Sequence, residues 1–302
     1  MTDQADSEKV FRCGFVALVG RPNVGKSSLL NRLIGQKISI VSRKPQTTRH
    51  RLLGIHHRDD AQIVYVDTPG LHSKTPREMN RYLNRTAAEA LSDVDVVVLV
   101  VEGLRWTPDD DLALQRIGRT QAPVVLAVNK VDLIDDKSRL LPHLQMLAQK
   151  REFAAIIPVS AQKGVNLKEL EDAAVRCLPE SDPLFPEEQI TDRSERFLVA
   201  ELIREQLMAA LGQELPYAAT VEIEAFQEEG NLTRISAVIW VERQGQKAIV
   251  IGQGGRVLKR VGQGARVQME RLLDRKVFLQ LWVKVREGWS DDAKALRSLG
   301  YD

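Results

Sequence analysis

The stretch "GRPNVGKSS", residues 20–28, is the strongest indication of the fold of the first half of the chain. It fits the pattern G-x-x-x-x-G-K-S/T and lies between the apolar run "FVALVG" (15–20) and the helical pattern "SLLNRLIG" (28–35). Glycines permit a tight turn whose amide groups point at phosphate oxygens, and the dipole of the following helix favours the same negative charge. An accidental glycine turn is the alternative, but a strand before and a helix after form the context that a phosphate-binding loop requires. The loop therefore predicts binding of a nucleoside triphosphate.

Apolar runs of strand length alternate with helix-length segments over residues 11–178. Buried strands are predicted at "FVALVG" (15–20), "IVYVDT" (63–68), "VDVVVLVV" (94–101), "VVLAVNK" (124–130) and "IIPVS" (156–160). This alternation favours an α/β domain with a mainly parallel sheet, in which ligands bind at the carboxyl ends of the strands. We therefore predict a P-loop domain over 11–178.

Four residues at or near these strand ends are candidates for holding phosphates and Mg²⁺. The Lys26 ammonium would neutralise charge on the β and γ phosphates, and the Ser27 hydroxyl would hold Mg²⁺. Asp67 can reach Mg²⁺ through water, and the amide of Gly70, at the end of the same D-x-x-G segment, can sense the γ phosphate. A D-x-x-G segment alone is common in turns, so its meaning depends on its place after the glycine loop.

The segment "NKVD" (129–132) selects the base. Asp132 can accept two hydrogen bonds from the N1–H and the exocyclic amine of guanine, and Asn129 supports the loop. Adenine lacks that pair of donors and would leave a buried carboxylate unpaired, a penalty of about 1–3 kcal/mol. Ser160 and Ala161 close the next strand and could offer a backbone amide to guanine O6. In this order along the chain, the motifs favour GTP over ATP and predict a GTPase domain.

The segment "KPQTTRHR" (44–51) lies between the first helix and the next strand, where a GTP switch places a threonine that completes Mg²⁺ coordination. Thr47 and Thr48 both qualify by position, and an ordinary loop is the alternative. After Gly70 comes Leu71, where many switch GTPases have a glutamine that positions the attacking water. Because leucine cannot do this, we expect slow hydrolysis unless a partner or other groups complete the site.

A change of composition marks a second domain. Residues 179–195, "PESDPLFPEEQITDRSE", carry three prolines and many acidic residues without periodicity, and they predict a linker. Beyond it, apolar residues at helical spacing predict a helix over 198–211. Alternating runs predict half-buried strands at 220–226, 233–241 and 276–285. We therefore assign 196–302 to an α+β domain with a carboxy-terminal extension.

A second glycine turn, Gly252-Gln253-Gly254-Gly255, lies between the apolar "AIVI" (248–251) and a basic helical pattern at 256–273. "AIVI" is either a strand or a short buried helix, since periodicity cannot decide. Helix, G-x-x-G, helix and strand is the arrangement of a KH module. Its tight turn lets single-stranded RNA approach, and an apolar groove receives about four nucleotides. A structural turn in an inert α+β domain is the alternative, because many turns match G-x-x-G.

The charge around this turn favours a nucleic-acid partner. Between 243 and 271 the chain carries seven basic residues against one acidic residue, Glu270, although its net charge is only +2. That local surplus is typical of a phosphate-binding surface, and a solvated helix face is the alternative. Aromatic residues are few nearby, so we do not expect stacking on Phe or Tyr to drive binding.

Composition limits the class of protein. With 43% hydrophobic and 28% charged residues, the chain has the composition of an ordinary globular protein. No stretch approaches the ~20 apolar residues of a membrane span, and the start "MTDQADSEKV" lacks the pattern of a signal peptide. The two cysteines, Cys13 and Cys177, are too few for a disulfide framework, so a reducing cytoplasm is the simplest compartment. We also expect the protein to be a monomer.

Several longer segments resemble the bacterial Era GTPase family. They include motifs outside the generic GTPase pattern and run in order from about Phe11 to the end of the chain. The segments are "GRPNVGKSSLLNRLIGQKISIVSRKPQTTRHR", "DTPGLH", "VEGLRWTPDD", "NKVD", "ITDRSERF", "LPYAATVEIE" and "LRSLGY". The resemblance implies a GTPase domain followed by a type II KH domain. It also implies binding near the 3′ end of 16S ribosomal RNA during small-subunit (30S) assembly, and a peripheral fraction on the inner membrane.

Carried over residue by residue, the resemblance names the candidate sites, with GTP or GDP and Mg²⁺ as cofactors. Catalysis falls to Lys26, Thr48 and Gly70, and the Mg²⁺ ligands are Ser27, Thr48 and Asp67. The residues predicted to bind GTP are Gly20, Arg21, Pro22, Asn23, Val24, Gly25, Lys26, Ser27, Ser28, Asp67, Thr68, Pro69, Gly70, Leu71, Asn129, Lys130, Val131, Asp132, Ser160 and Ala161. The residues predicted to bind RNA are Gly252, Gln253, Gly254, Gly255, Arg256 and Lys259. KH loops often carry a basic residue between the glycines; here Gln253 and Gly254 are neutral, so Arg256 and Lys259 are the candidates to supply that charge.

Two other functions fit the same motifs. One is a GTPase that assists RNA modification or another assembly step, in which the KH module directs the protein to its RNA. The other is an RNA-binding module whose nucleotide site is only structural. Loss of GTP turnover with retained RNA binding in Lys26→Ala would separate a switch from a purely structural site.

Overall fold

The computed structural model describes residues 10–42, 44, 47–69, 78–89, 93–118, 120–212 and 215–301. By their contacts these residues form two compact units, each built from several stretches of chain. The first unit contains the described residues of 1–35, 52–68 and 89–192, and the second contains those of 36–51, 69–88 and 193–302. The units thus differ from the predicted domains at 36–51, 69–88 and 179–192, and the limits of the functional domains stay a prediction.

The first unit is built on a six-stranded sheet with the order β2-β3-β1-β4-β5-β6. Its strands are β1 (Arg12–Val19), β2 (Leu52–His57), β3 (Ala61–Asp67), β4 (Val96–Glu102), β5 (Val124–Asn129) and β6 (Ala155–Pro158). All neighbouring pairs are parallel except β2 with β3, which is antiparallel. Because β1, β3, β4 and β5 are almost wholly buried, their sequences are continuous apolar runs. The prediction of an α/β P-loop domain with a mainly parallel sheet is confirmed.

Strand β2 was not predicted. Its sequence, "LLGIHH", contains a glycine and two histidines and shows no clear alternation of apolar and polar residues. It pairs with β3 at one edge of the sheet, from Leu52 opposite Asp67 to His57 opposite Gln62. Its strand conformation therefore depends on the neighbouring strand more than on local sequence preference.

Helices α1 (Lys26–Ile34), α2 (Glu78–Glu89), α3 (Pro108–Ile117), α4 (Leu140–Ala148) and α5 (Leu167–Val175) alternate with these strands along the chain. Helix α1 begins directly after Gly25 and ends at Gly35, both of which have left-handed backbone conformations. Helix α3 begins with a proline in its first turn and a capping box between Thr107 and Asp110. These local signals explain where α1 begins and ends and where α3 begins.

The segment 179–192 is bonded to the first unit along its length. Gln62 Oε1 accepts hydrogen bonds from the backbone amides of Leu184 at 2.7 Å and Phe185 at 3.0 Å. The amide of Ile55 donates to Ile190 O at 2.9 Å, and Phe185 packs against the apolar side chains of β2 and β3. Over these residues the predicted linker is an ordered strap across one unit, because its proline-rich sequence still offers backbone groups and an aromatic anchor.

The second unit is built on a three-stranded sheet with the order β7-β8-β9. Its elements are α6 (Glu195–Ala210), β7 (Ala219–Glu229), β8 (Leu232–Val241), α7 (Gln244–Ile251), α8 (Arg256–Leu273), β9 (Lys276–Val285) and α9 (Ala293–Ser298). Strands β7 and β8 are antiparallel, and β8 and β9 are parallel. The stretch "AIVI", which the sequence left open, lies in α7 and is helical. The prediction of a KH domain after the GTPase domain is confirmed.

Helices α6 and α8 pack together over this sheet. Their buried side chains form one core with those of the strands, including Ile203, Leu207, Ile239, Val261 and Met269. Helix α8 is strongly amphipathic. Its buried residues recur at spacings of four residues, while basic residues occupy the other face. The helix can therefore pack on the sheet and still present charge to solvent.

Two further stretches of chain belong to the second unit. In the 36–51 segment, Lys44 Nζ donates to Met208 O at 2.5 Å at the carboxyl end of α6, where a cation complements the helix dipole. Arg49 Nη1 donates to the hydroxyl of Tyr301 at 3.1 Å. In the 69–88 stretch, α2 contributes Met79 and Leu83 to a cluster with residues from 289 to 301. The carboxy-terminal extension thus helps to hold these stretches in the unit.

Among the helices formed by the described residues, none is both long enough and apolar enough to cross a membrane.

Candidate functional site

The loop between β1 and α1 has a backbone that requires glycine at both ends. Gly20 has a φ of 150° and Gly25 a φ of 102°. A Cβ on Gly20 would lie 2.3 Å from Val100 O, and a Cβ on Gly25 would lie 2.4 Å from Asn129 Nδ2. Because the surrounding protein leaves no room for a side chain, the loop is held tightly against the ends of β4 and β5.

Lys26 is the buried cation of this loop. Its Nζ donates to Gly20 O at 2.8 Å and to Arg21 O at 3.0 Å, and the residue is only 6% exposed. Burial lowers the pKa of Lys26 to about 8, although the nearby Asp67 carboxylate favours the charged form. The ammonium is therefore held inside the curve of the loop, where the negative charge of a phosphate would raise the pKa of Lys26 again.

Two oxygen-bearing side chains meet at the start of α1 and the end of β3. Ser27 Oγ donates to Asp67 Oδ2 at 3.0 Å, and Asp67 is fully buried. The neighbouring Thr68 is fixed by a hydrogen bond from its Oγ1 to Leu18 O at 3.1 Å. A hydroxyl and a carboxylate side by side are hard oxygen donors, the ligands that Mg²⁺ prefers, so the residues present fit a magnesium ion.

The base-reading segment is tied to the phosphate loop. Asn129 Nδ2 donates to Val24 O at 2.8 Å, while its Oδ1 accepts from the amide of Ala161 at 3.0 Å. Ser160 Oγ donates to Asp132 Oδ1 at 2.5 Å. The carboxyl ends of β1, β5 and β6 therefore bring the phosphate loop, "NKVD" and the Ser160–Ala161 pair into one site.

The remaining predicted residues of the nucleotide site are placed as follows. Pro69 is described, whereas Gly70 and Leu71 lie outside the described residues. Thr47 and Thr48 lie in the 36–51 segment of the second unit, where Thr47 Oγ1 donates to Lys44 O at 2.7 Å. The choice of switch threonine stays a prediction.

The second glycine turn lies between α7 and α8. Gly252, Gly254 and Gly255 have φ values of 72°, 59° and 75°. A Cβ on Gly252 would lie 2.5 Å from Val257 Cγ2, but one on Gly254 or Gly255 would meet nothing within 4 Å. The outer part of this turn therefore stands open, and its glycines bring bare backbone to the surface.

A groove of about 410 Å³ adjoins the turn, between α8 and β9. Its apolar lining comes from Leu258, Leu279 and Leu281, and its basic lining comes from Lys259 and Arg266. Arg256 instead turns to the loop, where its Nη2 donates to Gln253 Oε1 at 2.5 Å. In such a groove the apolar side chains can contact RNA bases, and the basic side chains can bind the phosphates.

Three charged residues near these sites are not among the predicted site residues, although Arg266 belongs to the basic surplus between 243 and 271. Arg266 lies seven residues after Lys259, so helical spacing alone could have placed both on one face. Glu102 and Asp110 both contact Arg21 of the phosphate loop. No local pattern reveals those two contacts, because they depend on which strands are neighbours in the sheet.

Comparison with known proteins gives the same two parts. A family described as 50S ribosome-binding GTPase matches residues 15–130, and the KH domain family matches residues 214–290. GTPase Era of Pseudomonas aeruginosa (strain LESB58) is 57% identical over 302 residues, which is 100% of this chain and 99% of that protein. GTPase Era of Marinobacter nauticus is 58% identical over 289 residues, which is 96% of this chain and 95% of that protein.

Two solved structures have a similar fold over nearly the whole chain. One is a crystal structure of a variant of Aquifex aeolicus Era bound to GDP·AlF4⁻, and the other is Era in complex with MgGDPNP and nucleotides 1506–1542 of 16S ribosomal RNA. Each has a TM-score of 0.92 and 38% sequence identity, and the alignment covers 96% of this chain and 99% of the other. At this similarity the fold is shared.

Proposed function

The chain belongs to the Era GTPase family, and we propose that it is a GTP-driven switch that binds the 3′ end of 16S ribosomal RNA and assists assembly of the 30S subunit. It is a GTPase, with a P-loop domain and a KH domain in one chain. The observation that carries the proposal is the convergence of the phosphate loop, Asn129 and Ala161 at one edge of the sheet.

The nucleotide site is proposed to divide its work among strand ends. Lys26 neutralises charge on the β and γ phosphates, and Asp132 accepts hydrogen bonds from guanine. Ser27, Asp67 and Thr48 hold Mg²⁺, which supplies charge stabilisation to the transferring phosphoryl group. This assignment is supported by the buried ammonium of Lys26 and by the hydrogen bond between Ser27 and Asp67.

Hydrolysis is proposed to be slow unless a partner completes the site. The residue after Gly70 is Leu71, whose side chain has no group that could orient or activate water. Lys26, Thr48 and Gly70 therefore act by holding charge and geometry rather than by taking a proton. An activating partner would supply the missing group.

The RNA interface is proposed to be the open glycine turn with its groove. The backbone of residues 252–255 approaches the RNA chain, Leu279 and Leu281 contact bases, and Lys259 lies beside phosphates. Support comes from the open space around Gly254 and from the mixed apolar and basic lining of the groove. We further propose that the protein acts as a monomer in the cytoplasm, with a peripheral fraction on the inner membrane.

The proposal is tested by GTP hydrolysis with and without an RNA oligonucleotide that carries the 3′-terminal sequence of 16S ribosomal RNA. We expect this RNA to accelerate turnover, an unrelated RNA of equal length to have no effect, and Lys26→Ala to lose turnover but retain RNA binding. If the matching RNA binds and leaves turnover unchanged, the two domains act independently and the switch proposal is wrong.

A further inference from the structure

A chain of ion pairs joins the phosphate loop to the base-reading loop. Glu102 is the last residue of β4, the strand that lies between β1 and β5 in the sheet. Its Oε2 accepts from Arg21 Nη2 at 2.5 Å, and its Oε1 accepts from Lys130 Nζ at 2.8 Å. One carboxylate thus holds a cation from each loop, one on each oxygen.

The Arg21 end of this chain is anchored a second time. Arg21 Nε donates to Asp110 Oδ2 at 3.2 Å, and Asp110 is fully buried. The same oxygen accepts from the amide and the hydroxyl of Thr107, both at 2.8 Å, in the capping box that begins α3. The guanidinium is therefore fixed by a helix end as well as by a strand end, so that its position is defined before any ligand arrives.

Lys130 needs such support because its backbone is strained. Its φ of 64° lies in the left-handed region, which a residue with a side chain adopts at an energetic penalty. Gly103, which directly follows β4, also holds the base-reading loop, since its amide donates to Asn129 O at 2.7 Å. In the described part of the chain, the Lys130 side chain is directed by its ion pair with Glu102.

The electrostatics of Glu102 agree with a permanent double ion pair. Burial raises the pKa of Glu102, but the hydrogen bonds from Lys130 and Arg21 outweigh burial and leave the pKa lowered. The Glu102 side chain is 26% exposed and the Arg21 side chain 10% exposed, so solvent screens the pair only in part. The carboxylate stays charged across the physiological range and keeps both cations in place.

We propose that Glu102 is a positioning residue for the guanine nucleotide, which fixes Lys130 of the base-reading loop at a set distance from Arg21 of the phosphate loop. The proposal rests on the nucleotide site proposed above. A nucleotide spans both loops at once, so a fixed separation lowers the entropy lost on binding. Asn129 provides an independent tie through Val24 O, which explains how one of the two links can be removed without loss of the fold.

This role predicts a particular pattern of effects. GDP and GTP both span the two loops, so loss of Glu102 weakens them equally. The γ phosphate contacts only the phosphate side of the site, so the chemical step at saturating GTP is unaffected. A carboxylate that merely stabilised the fold would not separate binding from chemistry in this way.

The test uses the full-length protein and the Glu102→Gln variant, which keeps the shape of the side chain and removes its charge. We expect the dissociation constants of fluorescent GDP and GTP analogues to rise by the same factor, about tenfold. The single-turnover rate of hydrolysis at saturating GTP should stay within about twofold of that of the wild type. Glu180→Gln is the matched control, because Glu180 pairs with Arg12 at 3.5 Å on the surface of the same unit and, within the described residues, forms no ion pair with either loop.

A double-variant comparison with Lys130→Gln tests the route of the effect. If Glu102 acts by holding Lys130, the combined loss of GDP affinity is smaller than the product of the two single losses. Full multiplication of the losses, or a lowered single-turnover rate with unchanged affinity, would overturn the inference. If Glu102→Gln does not fold, Glu102→Asp keeps the charge but shortens the reach, and it should weaken both nucleotides in the same way. Wild-type protein that binds neither nucleotide would overturn the proposed site itself, and the inference with it.

Discussion

In the loop at 20–27, a methyl group on Gly20 or Gly25 would lie 2.3 or 2.4 Å from a neighbouring protein atom, whereas one on Gly254 or Gly255 would meet nothing within 4 Å. Both turns have left-handed or otherwise positive φ angles, so both favour glycine for the same backbone reason. They differ in what fills the space beside the glycine. Beside Gly20 and Gly25 it is the protein, whereas the space beside Gly254 and Gly255 is open. Gly252, at the inner end of the second turn, is packed against Val257.

The difference separates two ways of building a binding loop. The phosphate loop is packed on β4 and β5 and carries a buried lysine, so its geometry is fixed by the first unit before a ligand binds. The outer glycines of the second turn are not constrained by packing, so their small size serves the approach of a ligand backbone. Alanine at Gly20 or Gly25 should damage the protein's own packing. A side chain at Gly254 or Gly255 should leave the packing intact, with only the backbone penalty that both turns share.

The largest effect is expected from Gly25→Ala. The new methyl group would collide with Asn129 Nδ2 at 2.4 Å, at a residue whose φ is 102°. Because Asn129 joins the phosphate loop to the base-reading loop, we expect GDP affinity to fall by about a hundredfold or more, measured by equilibrium titration. Gly35→Ala is the matched control, since its φ is 76° and a Cβ there meets nothing within 4 Å. Equal losses in the two variants would mean that backbone strain, and not packing, explains the need for glycine.

An intermediate effect is expected from pH. Burial lowers the pKa of Lys26 to about 8, and phosphate binding requires its ammonium form. GDP affinity should therefore fall by up to about tenfold per pH unit above pH 8. Lys26→Arg, whose guanidinium stays charged, should bind GDP with no such slope. A flat profile for the wild type would contradict the burial of an ionisable lysine at the phosphates.

Deprotonation of Lys26 has the opposite effect on stability: GDP affinity falls as the pH rises, but the free energy of unfolding increases. The unfolded chain keeps the ordinary lysine pKa of 10.5, while the folded, nucleotide-free protein has a lowered value of about 8. Between these values the unfolded state binds more protons, so this group makes the free energy of unfolding rise with pH over that window. Chemical denaturation at several pH values would show whether Lys26→Met removes that contribution.

The smallest effect is expected from single charges beside the second turn. Arg256→Gln and Lys259→Gln should each weaken RNA binding by about two- to fivefold and reduce the salt slope by about 0.7, the amount expected for one phosphate contact with a single strand. Lys294→Gln, an exposed charge on α9, is the control and should change neither quantity. A larger loss for Arg256 than for Lys259 would indicate that its hydrogen bond to Gln253 shapes the turn itself.

The sequence predicted the parts of the fold that depend on local pattern. The predicted strands of the first unit overlap β1, β3, β4, β5 and β6, and the predicted phosphate loop lies between β1 and α1 as expected. Continuous apolar runs and alternating runs are produced by burial on two faces or one, so they can be recognised without knowledge of the partners. The spacing of the glycines likewise predicted both turns, because few residue types other than glycine adopt positive φ angles.

What the sequence did not predict depends on contacts between distant residues. Strand β2 lacks a pattern of its own and pairs at the sheet edge with β3, and the strap at 179–192 is fixed there by Gln62. The ion pairs of Glu102 with Arg21 and Lys130 exist because β4 lies between β1 and β5, an order that no local pattern reveals. Side-chain networks of this kind become visible only when the strand order is known.

One measurement compares the two loops most directly. The affinities for GDP and for the 16S 3′-terminal RNA are measured on the wild type, on Lys26→Ala and on the double variant Gln253→Asp with Gly254→Asp. The double Asn variant at the same positions keeps the backbone preference without the charge. We expect reciprocal losses: Lys26→Ala loses GDP and keeps RNA, while the Asp pair repels the RNA backbone and keeps GDP. If either charge-changing variant loses both ligands while remaining folded, the two glycine turns do not form separate sites, and the proposed division of work between them is wrong.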